Sequence, residues 1–219
     1  MAGYPDEESS LEIAKAIADS GSHIHEISFP HAEAQADGPI IQLANIESIK
    51  KGINLEKIIS ISKKVREHNS DIGLCLMGYL NNLFIYGIEK FAKDISGTID
   101  AVICVDLPSE VIEEKQLKEA LKKEGIALIK LITPTTSDDR IKKIVQDAEG
   151  FIYSVNVEGQ TGVKSADINK VNLQVENIKK YTNIPVVSGF GIKNEEDVKV
   201  FSNSKADGIV LGSAIVNEI

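Results

Sequence analysis

Short runs rich in Val, Ile and Leu alternate along the chain with longer stretches in which apolar residues recur every three or four positions. The short runs predict seven strands, at 24–28, 72–77, 101–106, 126–132, 150–156, 184–188 and 207–211. Helical periodicity between them predicts amphipathic helices at about 7–20, 55–67, 87–93, 115–123, 138–146, 169–180 and 195–201. In the first helix Leu11, Ala14 and Ala18 fall on one face. Asp6 is placed to cap its start and Gly21 to stop it.

Strands separated by crossover-length helical segments imply a parallel sheet. Two architectures fit: an open doubly wound sheet or a (β/α)8 TIM barrel. The open dinucleotide-binding sheet would carry G-x-G-x-x-G after its first strand, and this chain does not. Its glycines gather after the last three strands instead, where barrels build phosphate sites. The barrel is the expected α/β fold, as a single domain over 1–219, since no segment reads as a linker. The chain opens on "MAGYPDEESS", which reads as the exit loop of a strand. It closes on "LGSAIVNEI", a strand with only the beginning of a helix. The expectation is an incomplete barrel lacking its first strand and last helix, with two unpaired sheet edges.

Composition narrows the function classes. With 24 Lys and Arg against 33 Asp and Glu, the formal charge is −9. That argues against general nucleic-acid binding, which needs cations to neutralise phosphates. An anionic ligand would have to be held by backbone N–H groups or a few placed cations. No apolar run approaches the ~20 residues of a membrane span, so no membrane association and a cytoplasmic enzyme are the default. Cys75 and Cys104 each lie inside an apolar run and read as buried reduced thiols.

The stretch "HIHEISFPHAEAQADGP" (23–39) concentrates histidines and acids. Strand alternation puts Ile24, Glu26 and Ser28 on one face and His23, His25 and Ile27 on the other. The histidines and Glu26 therefore cannot converge on one ion, and no metal site is expected. The histidines read as solvated or capping groups packed against helices. Glu26 lies near the C-terminal end of its strand, where barrel active sites form. Desolvation there would raise its pKa and suit it to proton transfer; a buried salt bridge is the alternative reading. Asp37, before Gly38-Pro39, reads by itself as a turn or cap residue.

Three glycine clusters follow consecutive strands: "VEGQTGVKS" (157–165), "SGFGIKNEEDV" (188–198) and "LGSAIVNEI" (211–219). Glycine permits close approach to an anion, and helix N-termini offer free N–H groups. Together they point to a phosphate site built from backbone amides. Phe190, between two glycines, reads as core or as a lid over a flat apolar ligand.

The ordered set "AGYPD", "ADGPIIQ", "LMGYLNNLFIYG", "DLP", "PTTSDDRI", "YSVNVEGQTG", "SGFGI" and "GSAIV" resembles the tryptophan synthase alpha subunit family along nearly the whole chain. The resemblance implies a (β/α)8 barrel with a strand ahead of "AGYPD" and a helix after "GSAIV". It implies a lyase of tryptophan biosynthesis that cleaves indole-3-glycerol phosphate to indole and glyceraldehyde 3-phosphate. No cofactor is implied, and the implied partner is the beta subunit, in an alpha2-beta2 heterotetramer. Glu26 matches the family's acid–base group, Asp37 its second carboxylate and Tyr153 a tyrosine near the cleaved bond. Gly162, Gly191, Gly212 and Ser213 match the phosphate cradle. Phe190, Tyr79, Met77 and Ile41 match the indole pocket, and Thr161 matches a loop threonine that closes over the site. The chain departs from the family at "PHAEAQ" (30–35), where a Pro-Phe-Ser-Asp-Pro-type run is usual: His31 replaces the aromatic, Glu33 keeps an acid and Ala34 replaces the second proline. Two other readings remain: a phosphate-binding barrel lyase or isomerase that acts without a partner, and an inactive barrel fragment acting only as a binding module.

Overall fold

The computed structural model describes residues 2–155, 167–189, 192 and 194–219. The chain divides into two compact units, Met1–Leu128 and Ile129–Ile219. The first contains α1 (Glu7–Asp19), β1 (Ile24–Ser28), α2 (Pro39–Lys50), α3 (Leu55–His68), β2 (Gly73–Gly78), α4 (Leu80–Tyr86), α5 (Ile88–Ile95), β3 (Ala101–Cys104), α6 (Ile112–Lys123) and β4 (Ala127–Leu128). Its four strands form a parallel sheet in sequence order. The second contains β5 (Lys130–Ile132), α7 (Asp138–Val145), β6 (Ile152–Val155), α8 (Ile168–Lys179), β7 (Val186–Gly189), α9 (Glu195–Phe201), β8 (Gly208–Val210) and α10 (Ser213–Asn217). Its strands also form a parallel sheet in sequence order. Among the described residues no helix is long and apolar enough to cross a membrane.

The strand expected at 126–132 is found as two. Ala127 and Leu128 pair with Ala101 and Val102, whereas Lys130–Ile132 pair with Ile152–Ser154. Ile129 belongs to neither ladder. An apolar run reports burial along its length, but it cannot report which neighbour supplies the hydrogen bonds.

In each unit one sheet face is covered by helices. Ile27, Leu74, Leu76, Val102 and Leu128 meet Ile58, Val65, Phe91, Leu117 and Leu121 in one core. Ile132, Ile152 and Val186 meet Ile141, Val175 and Ile178 in the other. Full burial of such side chains stabilises by about 1.5–3 kcal/mol each. Side chains of Asp6, Asn54, Asp167 and Asn194 cap α1, α3, α8 and α9.

A shared device anchors the strand starts. Asp100, just before β3, accepts the Leu74 N–H of β2 at 2.7 Å and the Arg66 guanidinium at 2.5 Å. Arg66, in the last turn of α3, also donates to the carbonyls of Thr98, Ser70 and Ile72. In the second unit Asp207, just before β8, accepts the Val186 N–H at 2.8 Å and Lys179 of α8 at 2.8 Å. Each acid satisfies a strand-end donor that the ladder leaves open, and a helix-end cation balances its charge.

Helices α2 and α4 fall in segments not predicted as helical. Pro39 occupies the first turn of α2. This helix buries Ala44, Asn45 and Ser48 and leaves Ile40, Leu43, Ile46 and Ile49 half-exposed. Its large apolar residues thus recur on the outer side, opposite to the usual amphipathic rule. Helix α4 has only seven residues, and Phe84 and Ile85 point outward.

Two local features near β1 bear on stability. The buried Phe29 ring occupies the space that a side chain on Gly78 would need, so a Cβ there would overlap the ring. Gly78→Ala should cost about 1–3 kcal/mol in chemical denaturation. The same change in a Phe29→Val background should cost less than half as much, because the two sites share one space.

The other feature is His25. His23 is exposed, but His25 is buried against the helix side, and its Nδ1 has no hydrogen-bond partner. It is not the solvated or capping histidine expected, because its strand position aims it into the core. Burial lowers its pKa to about 4 from 6.5. The unfolded chain therefore binds the extra proton first, and stability present above pH 6.5 is lost as pH falls toward 4. His25→Leu should remove on the order of 2–3 kcal/mol of that loss, read as unfolding free energy at pH 7 and pH 4.5.

Candidate active site

The face of the first sheet turned away from the helix core carries Glu26 and Ser28 of β1, Cys75 and Met77 of β2, and Ala101 and Ile103 of β3. Register places Glu26 beside Cys75 and Cys75 beside Ala101, with Ser28, Met77 and Ile103 in the next row. Apolar and thiol neighbours give the Glu26 carboxyl little solvation. Burial raises its pKa to about 7 from 4.5, and the nearby Asp37 charge pushes it the same way. Among the described residues no hydrogen bond or ion pair reaches the Glu26 carboxyl. A carboxyl with a pKa near 7 can both give and take a proton at neutral pH. The Cys75 thiol is pushed up by burial and by the charges of Glu26 and Asp100, and stays protonated. Both cysteines are free and buried.

Asp37 ends the loop between β1 and α2. It is half-buried, and burial pushes its pKa up, while a hydrogen bond from Tyr79 and the nearby His31 pull it down. Tyr79 Oη donates to Asp37 Oδ2 at 3.0 Å and accepts the Ala36 N–H at 3.1 Å. Burial and the Asp37 charge push the Tyr79 hydroxyl up, so it remains a donor. Gln42 of α2 donates to the Asp37 and Ala34 carbonyls and closes the turn. Asp37 is therefore held by Tyr79, between β2 and α4, and by Gln42 of α2 rather than acting as a helix cap; α2 has no side-chain cap.

The loop that departs from the family pattern is tied down on both sides. The His31 N–H donates to Asn45 Oδ1 at 2.8 Å, and Asn45 donates to the Ile41 carbonyl. The His31 ring stacks on Tyr79 with centroids 4.4 Å apart and meets Asn82 through Nδ1 at 2.8 Å. Ala34 is buried and Glu33 exposed. Sequence reasoning missed His31, Asn45 and Asn82 as parts of the site. Asn82 lies 51 residues from His31, and one sequence carries no signal for that pairing.

The remaining expected residues divide as follows. Met77 and Ile41 are half-buried and Tyr79 is buried, all in the first unit. In the second unit Tyr153 lies on the face of β6 opposite its helix core. A side chain on Gly189 would meet its hydroxyl at 2.8 Å, so glycine there leaves room for the phenol. Gly212 and Ser213 open α10, whose first N–H groups have no intrahelical acceptor. Thr161, Gly162, Phe190 and Gly191 lie outside the described residues. Among the described residues no group of three His, Cys, Asp or Glu could hold a metal ion.

The family model for the tryptophan synthase alpha chain matches residues 1–219. A tryptophan synthase alpha chain from Phenylobacterium zucineum (strain HLK1) is 41% identical, over 100% of this chain and 78% of its own length. A solved structure from Aquifex aeolicus VF5 is 37% identical with a TM-score of 0.89, over 99% of this chain and 82% of that one. The tryptophan synthase A-subunit of the hyperthermophile Pyrococcus furiosus is 32% identical with a TM-score of 0.86, over 99% of this chain and 86% of that one.

The desolvated Glu26 has a cost in stability. Its folded pKa is raised, so the stability present below pH 4.5 is lost as pH rises through 7. Glu26→Gln should therefore gain on the wild type by on the order of 2–3 kcal/mol between pH 4.5 and pH 8, measured by urea unfolding.

Proposed function

The chain belongs to the tryptophan synthase alpha chain family, and from that premise we propose that Glu26 and Asp37 carry its cleavage of indole-3-glycerol phosphate. The parallel α/β fold matches the TIM-barrel alpha chains, and the family is a lyase of tryptophan biosynthesis releasing indole and glyceraldehyde 3-phosphate. The observation that carries the assignment is a pair of partly desolvated carboxyls, one with a pKa near 7 and the other fixed by a tyrosine.

In the proposed reaction Glu26 delivers a proton to indole C3 and takes one from the adjacent side-chain hydroxyl. The C3–carbon bond then breaks. Its electron pair restores the aromatic ring, and the hydroxyl carbon becomes the aldehyde of glyceraldehyde 3-phosphate. Asp37 accepts the indole N–H and stabilises the positive charge that protonation places on the ring, help that is strongest in the transition state. The Tyr79 hydrogen bond favours the ionised Asp37 that this role needs. Tyr153 supports the reacting bond. The resemblance assigns Met77, Tyr79, Ile41 and Phe190 to the indole, and Gly162, Gly191, Gly212 and Ser213 to the phosphate, through backbone N–H groups. The resemblance gives Thr161 the role of closing over the substrate. These proton transfers call for no cofactor. The chain works with the tryptophan synthase beta subunit, in our reading as an alpha2-beta2 heterotetramer in the cytoplasm, with residues 1–219 unfolding as one domain.

Purified protein should release glyceraldehyde 3-phosphate from indole-3-glycerol phosphate, faster when beta subunit is added. Glu26→Gln should lower kcat by about 100-fold or more, and Asp37→Asn by about 10–100-fold. A Glu26→Gln enzyme at full rate would overturn the assignment. Activity that no beta subunit stimulates would favour the partner-independent lyase.

A further inference from the structure

A chain of contacts that the reaction scheme above does not use runs from α4 to Asp37. Asn82 of α4 donates through Nδ2 to the Pro30 carbonyl at 3.1 Å. That bond sets which way the amide faces and presents Oδ1 to His31 Nδ1, 2.8 Å away. An amide oxygen only accepts, so the network assigns the proton to Nδ1 and makes His31 the donor. The ring is thereby fixed about its own axis. It lies 4.4 Å from the Tyr79 ring at an interplanar angle of 18°. Tyr79 is 5% exposed and its hydroxyl donates to Asp37.

The backbone around the ring is equally constrained. The His31 N–H is held by Asn45, itself 1% exposed. The Ala36 N–H fills an acceptor site on the Tyr79 oxygen, which directs the phenolic hydrogen toward Asp37. A tyrosine ring turns about two side-chain torsions, and the hydroxyl sweeps the widest arc. The flat His31 ring against one side removes that freedom where it matters most for the hydrogen bond.

We propose that His31 is a positioning residue: gripped by Asn82 and stacked on Tyr79, it holds the Tyr79 hydroxyl on Asp37 and so sets the geometry of the carboxylate that meets the substrate's N–H. The inference rests on the lyase reading of the site. His31 acts only through Tyr79, which predicts a specific form of non-additivity.

The test is a double-mutant cycle on kcat and KM for release of glyceraldehyde 3-phosphate, using the wild type, His31→Ala, Tyr79→Phe and the double variant. Misplacement of a reacting group costs on the order of 10–100-fold, so His31→Ala should lower kcat by at least about 10-fold while KM moves less than about threefold. The double variant should be no slower than the slower single variant. His31→Phe, which keeps a flat ring on Tyr79 but gives up the Asn82 hydrogen bond, should be at least about threefold faster than His31→Ala and still slower than the wild type. Independent, multiplying losses would overturn the proposal, as would a His31→Phe enzyme as slow as His31→Ala, or a loss confined to KM. If His31→Ala does not fold, His31→Leu, which keeps volume without a flat ring, takes its place in the cycle with the same expected outcomes. A wild type that releases no glyceraldehyde 3-phosphate would sink the lyase reading itself. An active wild type with an additive cycle would sink only the role of His31.

Discussion

Side chains on a strand alternate between two faces, and in a parallel sheet covered by helices neither face is freely hydrated. In β1 this constraint sends His25 and Ile27 toward the helices and Glu26 and Ser28 to the other side. Glu26 is an acid because the chemistry proposed here needs one. It is a weak acid because Cys75 and its row cannot solvate a charge as water does. The rest of the first unit serves that placement. Asp100 and Arg66 pin the start of β2 and β3, the Phe29 ring fills the gap above Gly78, and the loop beyond brings Asp37 to Tyr79.

Much of this fold was legible because burial leaves a period in the sequence. Strands β1, β2, β3, β6, β7 and β8 lie within or within one residue of the predicted runs, and α1, α3 and α9 begin at their expected positions. The two helices that escaped prediction break the rule that reading relied on. Helix α2 turns Ala44, Asn45 and Ser48 inward and Ile40, Leu43, Ile46 and Ile49 outward, so its apolar residues do not mark a buried stripe. Helix α4 is too short for periodicity to emerge. Division of the 126–132 run into β4 and β5 was equally hidden, because an apolar run has no mark for a change of hydrogen-bonding neighbour.

The site was legible to a different depth. Alternation and strand-end position single out Glu26, and desolvation of a carboxyl follows from elementary physics. Asp37 looked like a cap from its local sequence. Its candidacy came from the family resemblance, and the bond that holds it comes from Tyr79, 42 residues away. The least family-like segment, 30–35, is tied down: the His31 N–H donates to Asn45, and the His31 ring meets Asn82. Such a network depends on three residues far apart in the chain, each unremarkable alone.

His25 and Glu26 are neighbours with opposite electrostatic debts. One is a base held neutral by burial, the other an acid held neutral by burial. Between pH 4.5 and pH 6.5 the unfolded chain binds more protons at His25, so that residue makes stability rise with pH. Over the same range the folded chain binds more protons at Glu26, so that residue makes stability fall with pH. The two slopes are of similar size and opposite sign, and they largely cancel. Together the two should therefore add little slope to the stability profile through mild acid, even though each alone would tilt it. Because the side chains point to opposite faces of β1, the cancellation needs no contact between them. Replacing either one alone exposes the slope of the other, whereas replacing both removes the two slopes together. A small net slope from β1 is thus no sign that desolvated ionisable groups are absent from this strand.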